Sequence, residues 1–320
     1  MTEEDSILPD GAAAADVQAY LGVIADTHMP ERCPALPRSL ATIFHGVDLI
    51  VHVGDVGELW VLDQLREIAP VVAVAGNDEP AATAGALPHD QIIDCANQRI
   101  VLRHGHFVDP AQERAWRSRT PVRGDWVGLC AEFGHAADAG IVIYGHTHVP
   151  MVWRHEGVLL INPGAIAAPN PVSRQRLRTV ALLSLSGQGA ALVRHVDVDD
   201  PARTFAPDWW TTHDWRDGAR PLMTRFVDSI VEGTFREESV QIWARLQGAD
   251  SALRTTYQMA LLHEAQRCWA GEIPCVTRSG LIQQLRPADA RTTPARDQLI
   301  AWLHAHNGVP GDGVGAPSGV

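Results

Sequence analysis

The sequence predicts a layered α/β protein that carries a C-terminal all-helical appendage. Three observations lead there. Short Val/Ile/Leu-rich runs of strand length recur through the first half of the chain, each bounded by Gly, Pro or Asp. These runs are apolar throughout, which suggests strands covered on both faces, and helix-like spacing fills the gaps between the first of them. After residue 201 the strand-like runs give way to apolar residues at helical spacing.

Taken in order, the first run, YLGVIADTH, ends in Asp26 and His28. A helical stretch is expected over 36–46, and the next run, DLIVHVGD, ends in Asp55. Leu59, Leu62, Leu65 and Ile68 then recur every three residues and predict a helix within 58–69. VVAVAGND ends in Asn77 and Asp78, RIVLRHGH in His104 and His106, and GIVIYGHTH in His146 and His148. Residues 107–140 are expected to form one or two helices beside a cleft. Arg114, Arg117, Arg119 and Arg123 there, with Trp116 and Trp126, offer bidentate phosphate contacts and stacking surfaces for a substrate lid; a solvated helix face with core tryptophans is the alternative. Residues 178–197 read as a β-hairpin turning at Gly187–Gly189.

Beyond DVDDPARTFAPD the composition shifts. Met223, Phe226, Val227 and Ile230, and then Leu253, Tyr257, Leu261 and Cys268, have helical spacing. A last helix is expected to start at Thr293-Pro294, with Pro at the first helical position, and to carry Leu299, Ile300 and Leu303. The resulting division is a flexible N-terminus at 1–18, an α/β domain at 19–198, a helical accessory region at 201–307 and a Gly/Pro-rich flexible tail at 308–320. Substrate gating, dimerisation and partner docking all fit the accessory region, and a homo-oligomer is compatible with it. His213, His263, His304 and His306 have no ligand spacing with carboxylates and read as surface or core residues.

Composition sets limits. The 320-residue chain is 46% hydrophobic, enough for a large core, and its formal net charge is −12. That balance gives no signal for a generic nucleic-acid or anionic-membrane binder. There is no lysine, which removes Schiff-base chemistry and a Walker-type phosphate loop. The 5 cysteines are scattered without a C-x-x-C and read as thiols in a reducing compartment. The acidic N-terminal stretch does not resemble a signal peptide, and no apolar stretch approaches the ~20 residues of a membrane span. A soluble, cytoplasmic protein is expected.

In layered α/β proteins ligands gather outside the carboxyl ends of the strands, so the polar endings should meet in one cleft. An Asp after a strand is by itself an ordinary turn or cap residue. Histidine at three of the five endings is not required by any turn, and two histidines at i and i+2 are costly to bury without a use. Imidazole with carboxylate and amide oxygen, and no thiolate, suits Mn²⁺, Fe²⁺, Zn²⁺ or Ni²⁺. The set holds more donors than one tetrahedral ion uses; two ions about 3.5–4 Å apart sharing a carboxylate would use them, and such a pair suits in-line attack at phosphorus. Asp26 and Asp55 with a hydroxide would leave that centre net positive, ready for a phosphate oxygen on an acidic protein.

DTH at 26–28, GD at 54–55, GND at 76–78, HGH at 104–106 and GHTH at 145–148 resemble, in order and spacing, the signature of calcineurin-like metallophosphoesterases. INPGA at 161–165 is similar to the turn that follows GHTH in the YfcE-like phosphodiesterase branch. The resemblance covers residues 20 to about 197. It implies a four-layer αββα sandwich with two divalent ions, Mn²⁺ first among them, between the sheets. It implies that Asp26, His28, Asp55 and His148 hold one ion, that Asp55, Asn77, His104 and His146 hold the other, and that a metal-bridging hydroxide attacks a small phosphodiester or nucleotide. Many members carry His after the motif Asn where this chain has Asp78, so help to the leaving group would come from His106 or be unnecessary; Ala165 replaces the turn serine. The related retromer subunit is a scaffold with an impaired metal centre, whereas all seven implied ligands are present here. A metal-binding scaffold whose helical appendage recruits a partner is the alternative reading.

Overall fold

In the computed structural model, which describes residues 16–106, 124–169, 173–207, 227–229, 242, 246, 251–286 and 293–305, the apolar runs become the central strands of two sheets. The first elements are β1 (Val17–Ile24), α1 (Leu40–Ile43), β2 (Leu49–Val53), α2 (Trp60–Arg66), β3 (Val71–Val74), α3 (Ala81–Ala86), β4 (Asp90–Cys95) and β5 (Gln98–Arg103). Next come α4 (Gly124–Ala137), β6 (Ile141–Ile143), β7 (Met151–His155), β8 (Val158–Asn162), β9 (Ser173–Gln175), β10 (Thr179–Ser186), β11 (Ala191–Asp197) and β12 (Thr204–Phe205). The remainder are β13 (Val227–Ser229), α5 (Ser251–Trp269), α6 (Arg278–Leu285) and α7 (Pro294–Ala305).

The six-stranded sheet has the order β12-β11-β10-β1-β2-β3, with β1, β2 and β3 parallel. The five-stranded sheet has the order β4-β5-β6-β8-β7, with β5, β6 and β8 parallel. Alternate residues of both sheets share one core: Leu21, Val23 and Val53 of the first pack with Ile100, Leu102, Ile143 and Ile161 of the second. The opposite face of the first sheet, including Ile24 and Ile50, is covered by Leu40, Ile43, Leu62 and Leu65 of α1 and α2. The opposite face of the second, including Val101, Val142 and Leu160, is covered by Val127, Cys130 and Ala131 of α4. Strands buried on both faces carry no polar alternation, which is why the runs read as continuously apolar. The result is the helix–sheet–sheet–helix layering that the motifs imply.

The hairpin expected at 178–197 is β10–β11, and its turn places Gly189 at a φ of 86°. Strands β4 and β7 have no counterpart in the sequence reading. Both lie at the edges of their sheet, β4 alternates in exposure, and the hairpins β4–β5 and β7–β8 turn through Ala96–Asn97 and Glu156–Gly157, all four with positive φ. Only Asn97 and Gly157 in those pairs are ordinary signals for such a turn.

The chain divides into two compact units near residue 228. Strand β12 pairs with β11, so the first sheet runs to Phe205, past the sequence-based limit at 198. Helical spacing is predicted around Val227, yet Val227–Ser229 is a strand paired with β9 in a two-stranded sheet. A short apolar spacing cannot decide between helix and strand, and valine favours the strand. Met223, Phe226 and Ile230 lie outside the described residues, as do His213, His306, the N-terminal 1–15 and the tail from 306.

In the second unit α5, α6 and α7 surround Leu253, Tyr257, Leu261, Leu281, Leu285, Leu299 and Leu303. The expected start at Pro294 is observed, with the Arg296 N–H donating to Thr293 Oγ1 at 3.4 Å. No helix among the described residues is long and apolar enough to cross a membrane.

Leu183 is fully buried between the sheets, whereas Ile92 on the β4 edge is 49% exposed. Leu183→Ala should lower stability by about 2–5 kcal/mol in urea denaturation, against within about 0.5 kcal/mol for Ile92→Ala. Equal losses would contradict the assignment of the inter-sheet layer as the core.

Candidate metal centre

The polar strand endings meet where the two sheets present their carboxyl ends on one side. Asp26 and His28 follow β1, Asp55 follows β2, Asn77 and Asp78 follow β3, His104 and His106 follow β5, and His146 and His148 follow β6. Asp26, His28, Asp55, His146 and His148 all have positive φ, between 44° and 66°. Left-handed backbone at a non-glycine residue costs energy and persists where a site over-determines it. Two preceding glycines are required by close approach. A Cβ on Gly76 would lie 2.0 Å from Asp55 Oδ1, and one on Gly54, itself at a φ of 91°, would lie 2.5 Å from His104 Nδ1.

Two groups of ligand atoms emerge: Asp26 with His28 and His148, and Asp26 with Asp55 and His104. Asp55 Oδ2 lies 3.3 Å from both His28 Nε2 and His104 Nε2, so it stands between a histidine of each sheet. His148 Nε2 is 3.3 Å from Asp26 Oδ1, and the Asn77 carboxamide Oδ1 is 3.2 Å from His104 Nε2. The His146 ring centroid is 5.2 Å from that of His104, and the His146 N–H donates to Asp26 Oδ2 at 3.1 Å. His106 sits at the rim, its ring centroid 5.4 Å from His104 and 6.3 Å from His146. Six of the seven residues implied as ligands are thus joined by their side chains, and His146 adds a backbone contact and a neighbouring ring.

Backbone carbonyls orient the imidazoles. His104 Nδ1 lies 2.8 Å from the Val53 carbonyl and His148 Nδ1 lies 2.9 Å from that of Ala167. A carbonyl only accepts, so each Nδ1 carries its proton there and each Nε2 is turned to the carboxylates. Burial pushes the His148 pKa down to about 3 and holds that of His28 well below the ordinary range. The His148 Nε2 then carries a lone pair beside Asp26 Oδ1, and the His28 Nε2, 3.3 Å from Asp55 Oδ2, accepts from Arg32 Nη1 at 3.2 Å. Asp26 Oδ1 is buried and has no hydrogen-bond donor. Imidazole nitrogens and two carboxyl groups converging in a buried site, one carboxyl oxygen without a hydrogen-bond partner, are a place for a cation, and the donor types suit a borderline divalent ion. The residues therefore fit a metal.

His104 behaves differently. Burial opposes its charge, but Asp55 and Asp26 outweigh that and raise its pKa to about 9. The two carboxylates split: burial and the charge of Asp55 raise Asp26, whereas for Asp55 the neighbouring His104, His28 and His146 overcome burial and hold it low.

Further residues support the cluster, and of these Glu79, His52, His89 and Arg32 carry no sequence signal of their own. Glu79 accepts backbone N–H groups from Val56 and Gly57 at 2.9 Å and from Gly76 at 3.1 Å, tying the Asp55 loop to the Asn77 loop. The Asp78 N–H donates to Asp55 Oδ1 at 2.8 Å. Asn162, within INPGA, donates to Gly145 O at 2.7 Å and Thr147 Oγ1 at 3.1 Å and so holds the GHTH loop. Thr27 Oγ1 donates to Val56 O at 2.8 Å and lies 3.0 Å from the buried His52. Exposed His89 has its ring centroid 6.1 Å from His106, and Arg32 Nη1 lies 3.2 Å from His28 Nε2. The expected lid residues Arg114, Arg117, Arg119, Arg123 and Trp116 lie outside the described residues, as does the Trp126 side chain.

A family model described as the calcineurin-like phosphoesterase superfamily domain matches residues 20–188. A probable metallophosphoesterase of Methanocaldococcus jannaschii is 34% identical over 165 residues, covering 52% of this chain and 75% of the relative. Another from Methanothermobacter thermautotrophicus is 32% identical over 149 residues, covering 47% of this chain and 78% of the relative. Among solved structures, a Vps29 single mutant from Entamoeba histolytica aligns at 25% identity and a TM-score of 0.42, covering 56% of this chain and 98% of that one. A predicted phosphoesterase from Streptococcus pneumoniae aligns at 23% identity and a TM-score of 0.39, covering 58% of this chain and 95% of that one. With its metal-type donor cluster at the matched motifs, this chain belongs to the calcineurin-like phosphoesterase superfamily.

Proposed function

We propose that this chain is a di-metal phosphoesterase that cleaves phosphodiesters. The observation that carries the reading is the convergence of the Nε2 atoms of His28, His104 and His148 on the carboxyl groups of Asp55 and Asp26, each within 3.3 Å of one of them. One ion would be held by Asp26, His28, Asp55 and His148, the other by Asp55, Asn77, His104 and His146, with Asp55 common to both. Two such ions, with Mn²⁺ as the first candidate, supply Lewis-acid polarisation of a phosphoryl oxygen and lower the pKa of bound water. The protein's own part is to fix the geometry: the carbonyls of Val53 and Ala167 set the imidazole tautomers, and Glu79 and Asn162 hold the ligand loops.

Substrate class follows from what stands at the rim. Asp78 is ion-paired with Arg32, which makes it a poor proton donor to a leaving alkoxide. His106 is the other candidate for that role, beside His104 and His146. Aryl diesters, whose leaving groups need little or no protonation, are therefore favoured over alkyl monoesters, and a nucleotide diester, whose leaving group is an alkoxide, would draw its proton from His106. In the competing reading the centre is a metal-binding scaffold, and the first assay below separates the two.

With Mn²⁺ the protein should hydrolyse bis-p-nitrophenyl phosphate, EDTA should abolish the turnover, and added Mn²⁺ should restore it. A folded, metal-loaded preparation inert to diesters and monoesters alike would favour the scaffold. Asp55→Asn should lower kcat by on the order of 10²–10³ and weaken both ions, with an unchanged circular dichroism spectrum. Two equivalents of tightly held metal in that variant would sink the shared-ligand assignment.

Metal uptake should also release protons. His104 holds one below about pH 9 and must lose it to ligate, so apparent affinity should rise with pH up to that value. Calorimetry in buffers of differing ionisation enthalpy measures the protons directly. A pH-independent affinity between pH 6 and 8 would contradict the role given to His104.

A further inference from the structure

Arg32 is the cation built into this centre. Its backbone N–H donates to His28 O at 2.8 Å, and its side chain folds back over the same histidine. Nη1 donates to the Pro169 carbonyl at 2.8 Å and to His28 Nε2 at 3.2 Å, the second contact being one that an ion on that nitrogen would displace. Nη2 pairs with the Asp78 carboxylate, while Nε is buried and has no hydrogen-bond acceptor. The charge of Arg32 reaches Asp26, His28 and His148.

A guanidinium binds an oxyanion best along one edge, with two parallel N–H groups meeting two oxygens. The Nε/Nη2 edge of Arg32 is only half used, because Asp78 engages Nη2 and leaves Nε–H unmet. A buried donor left unsatisfied calls for a physical reason. The Arg32 side chain is 12% exposed and that of Asp78 is 44% exposed, so the carboxylate can turn into water far more easily than the guanidinium can. The edge it would free lies near the donor cluster, because Asp78 Oδ2, which now occupies it, is 3.8 Å from His28 Nδ1. A tetrahedral phosphate offers the two oxygens that Asp78 does not supply there.

We propose that the Nε/Nη2 edge of Arg32 docks two non-bridging oxygens of the substrate phosphate, and that Asp78 occupies that edge until the anion displaces it. The proposal rests on the phosphoesterase reading for the identity of the anion. It moves the phosphate contact from the arginines of 114–123 to a residue next to the donor cluster.

The test uses the full chain with Mn²⁺ and inorganic phosphate as the probe, measured by calorimetry and as an inhibitor of bis-p-nitrophenyl phosphate cleavage. Arg32→Met should weaken phosphate binding about 10–100-fold and raise KM by a similar factor, with metal stoichiometry unchanged. Arg32→Lys, which keeps the charge but lacks the edge, should recover only part of the loss. Asp78→Asn should tighten phosphate binding, an effect that a merely structural role for the pair does not produce. Wild-type phosphate affinity in Arg32→Met would overturn the assignment; should that variant misfold, unchanged or weaker binding by Asp78→Asn would do the same. Turnover by the parent protein with phosphate binding indifferent to Arg32 removes this proposal alone. Arg32-dependent phosphate binding without turnover of any ester upholds it and removes the enzymatic reading.

Discussion

Asp26 Oδ1 and His148 Nε2 face one another across 3.3 Å, a buried carboxyl oxygen against an imidazole nitrogen. His28 and Asp55 repeat the arrangement at the same distance. In a low-dielectric interior the carboxyl groups of Asp26 and Asp55 are costly to ionise together unless positive charge lies between or beside them. The surroundings answer that demand. His104 carries a proton against Asp55, Arg32 Nη1 lies 3.2 Å from His28 Nε2, and the His146 and Asp78 amides point at the two carboxylates. Five left-handed residues, Asp26, His28, Asp55, His146 and His148, hold the donors in place, and a chain would not keep that strain without a use for the geometry.

Fold and site are coupled through the stacking of the two sheets. Asp26, His28, Asp55 and Asn77 come from the first sheet, and His104, His146 and His148 from the second. Neither sheet alone presents both groups of ligand atoms. The inter-sheet layer of Leu21, Val53, Ile100, Leu102 and Ile143 therefore does more than stabilise the unit: its thickness sets the separation of the two donor sets. Glu79 and Asn162 refine the same geometry at loop level.

Much of this was legible because the endings are local. Asp or His at the close of an apolar run is out of place in a core, and five such endings mark strands whose ends the structure brings together. The β10–β11 hairpin and α7 were legible for the same reason, through Gly187–Gly189 and Thr293-Pro294. What escaped depends on tertiary partners. Strands β4 and β7 are edge strands whose pairing is decided by β5 and β8, and Val227 becomes a strand residue because β9 offers an edge. Arg32, Glu79 and His89 have no distinguishing spacing; only their position against His28, Gly76 and His106 separates them from other charged or imidazole side chains.

Electron paramagnetic resonance during a Mn²⁺ titration addresses the central claim most directly, because it reads ion number and ion separation without reference to any substrate. If Asp55 serves both ions, the protein should take up two equivalents, and the spectrum at saturation should be that of a spin-coupled pair. Uptake of a single ion, or two ions giving the additive spectrum of isolated Mn²⁺, would contradict a shared di-metal centre built on Asp55.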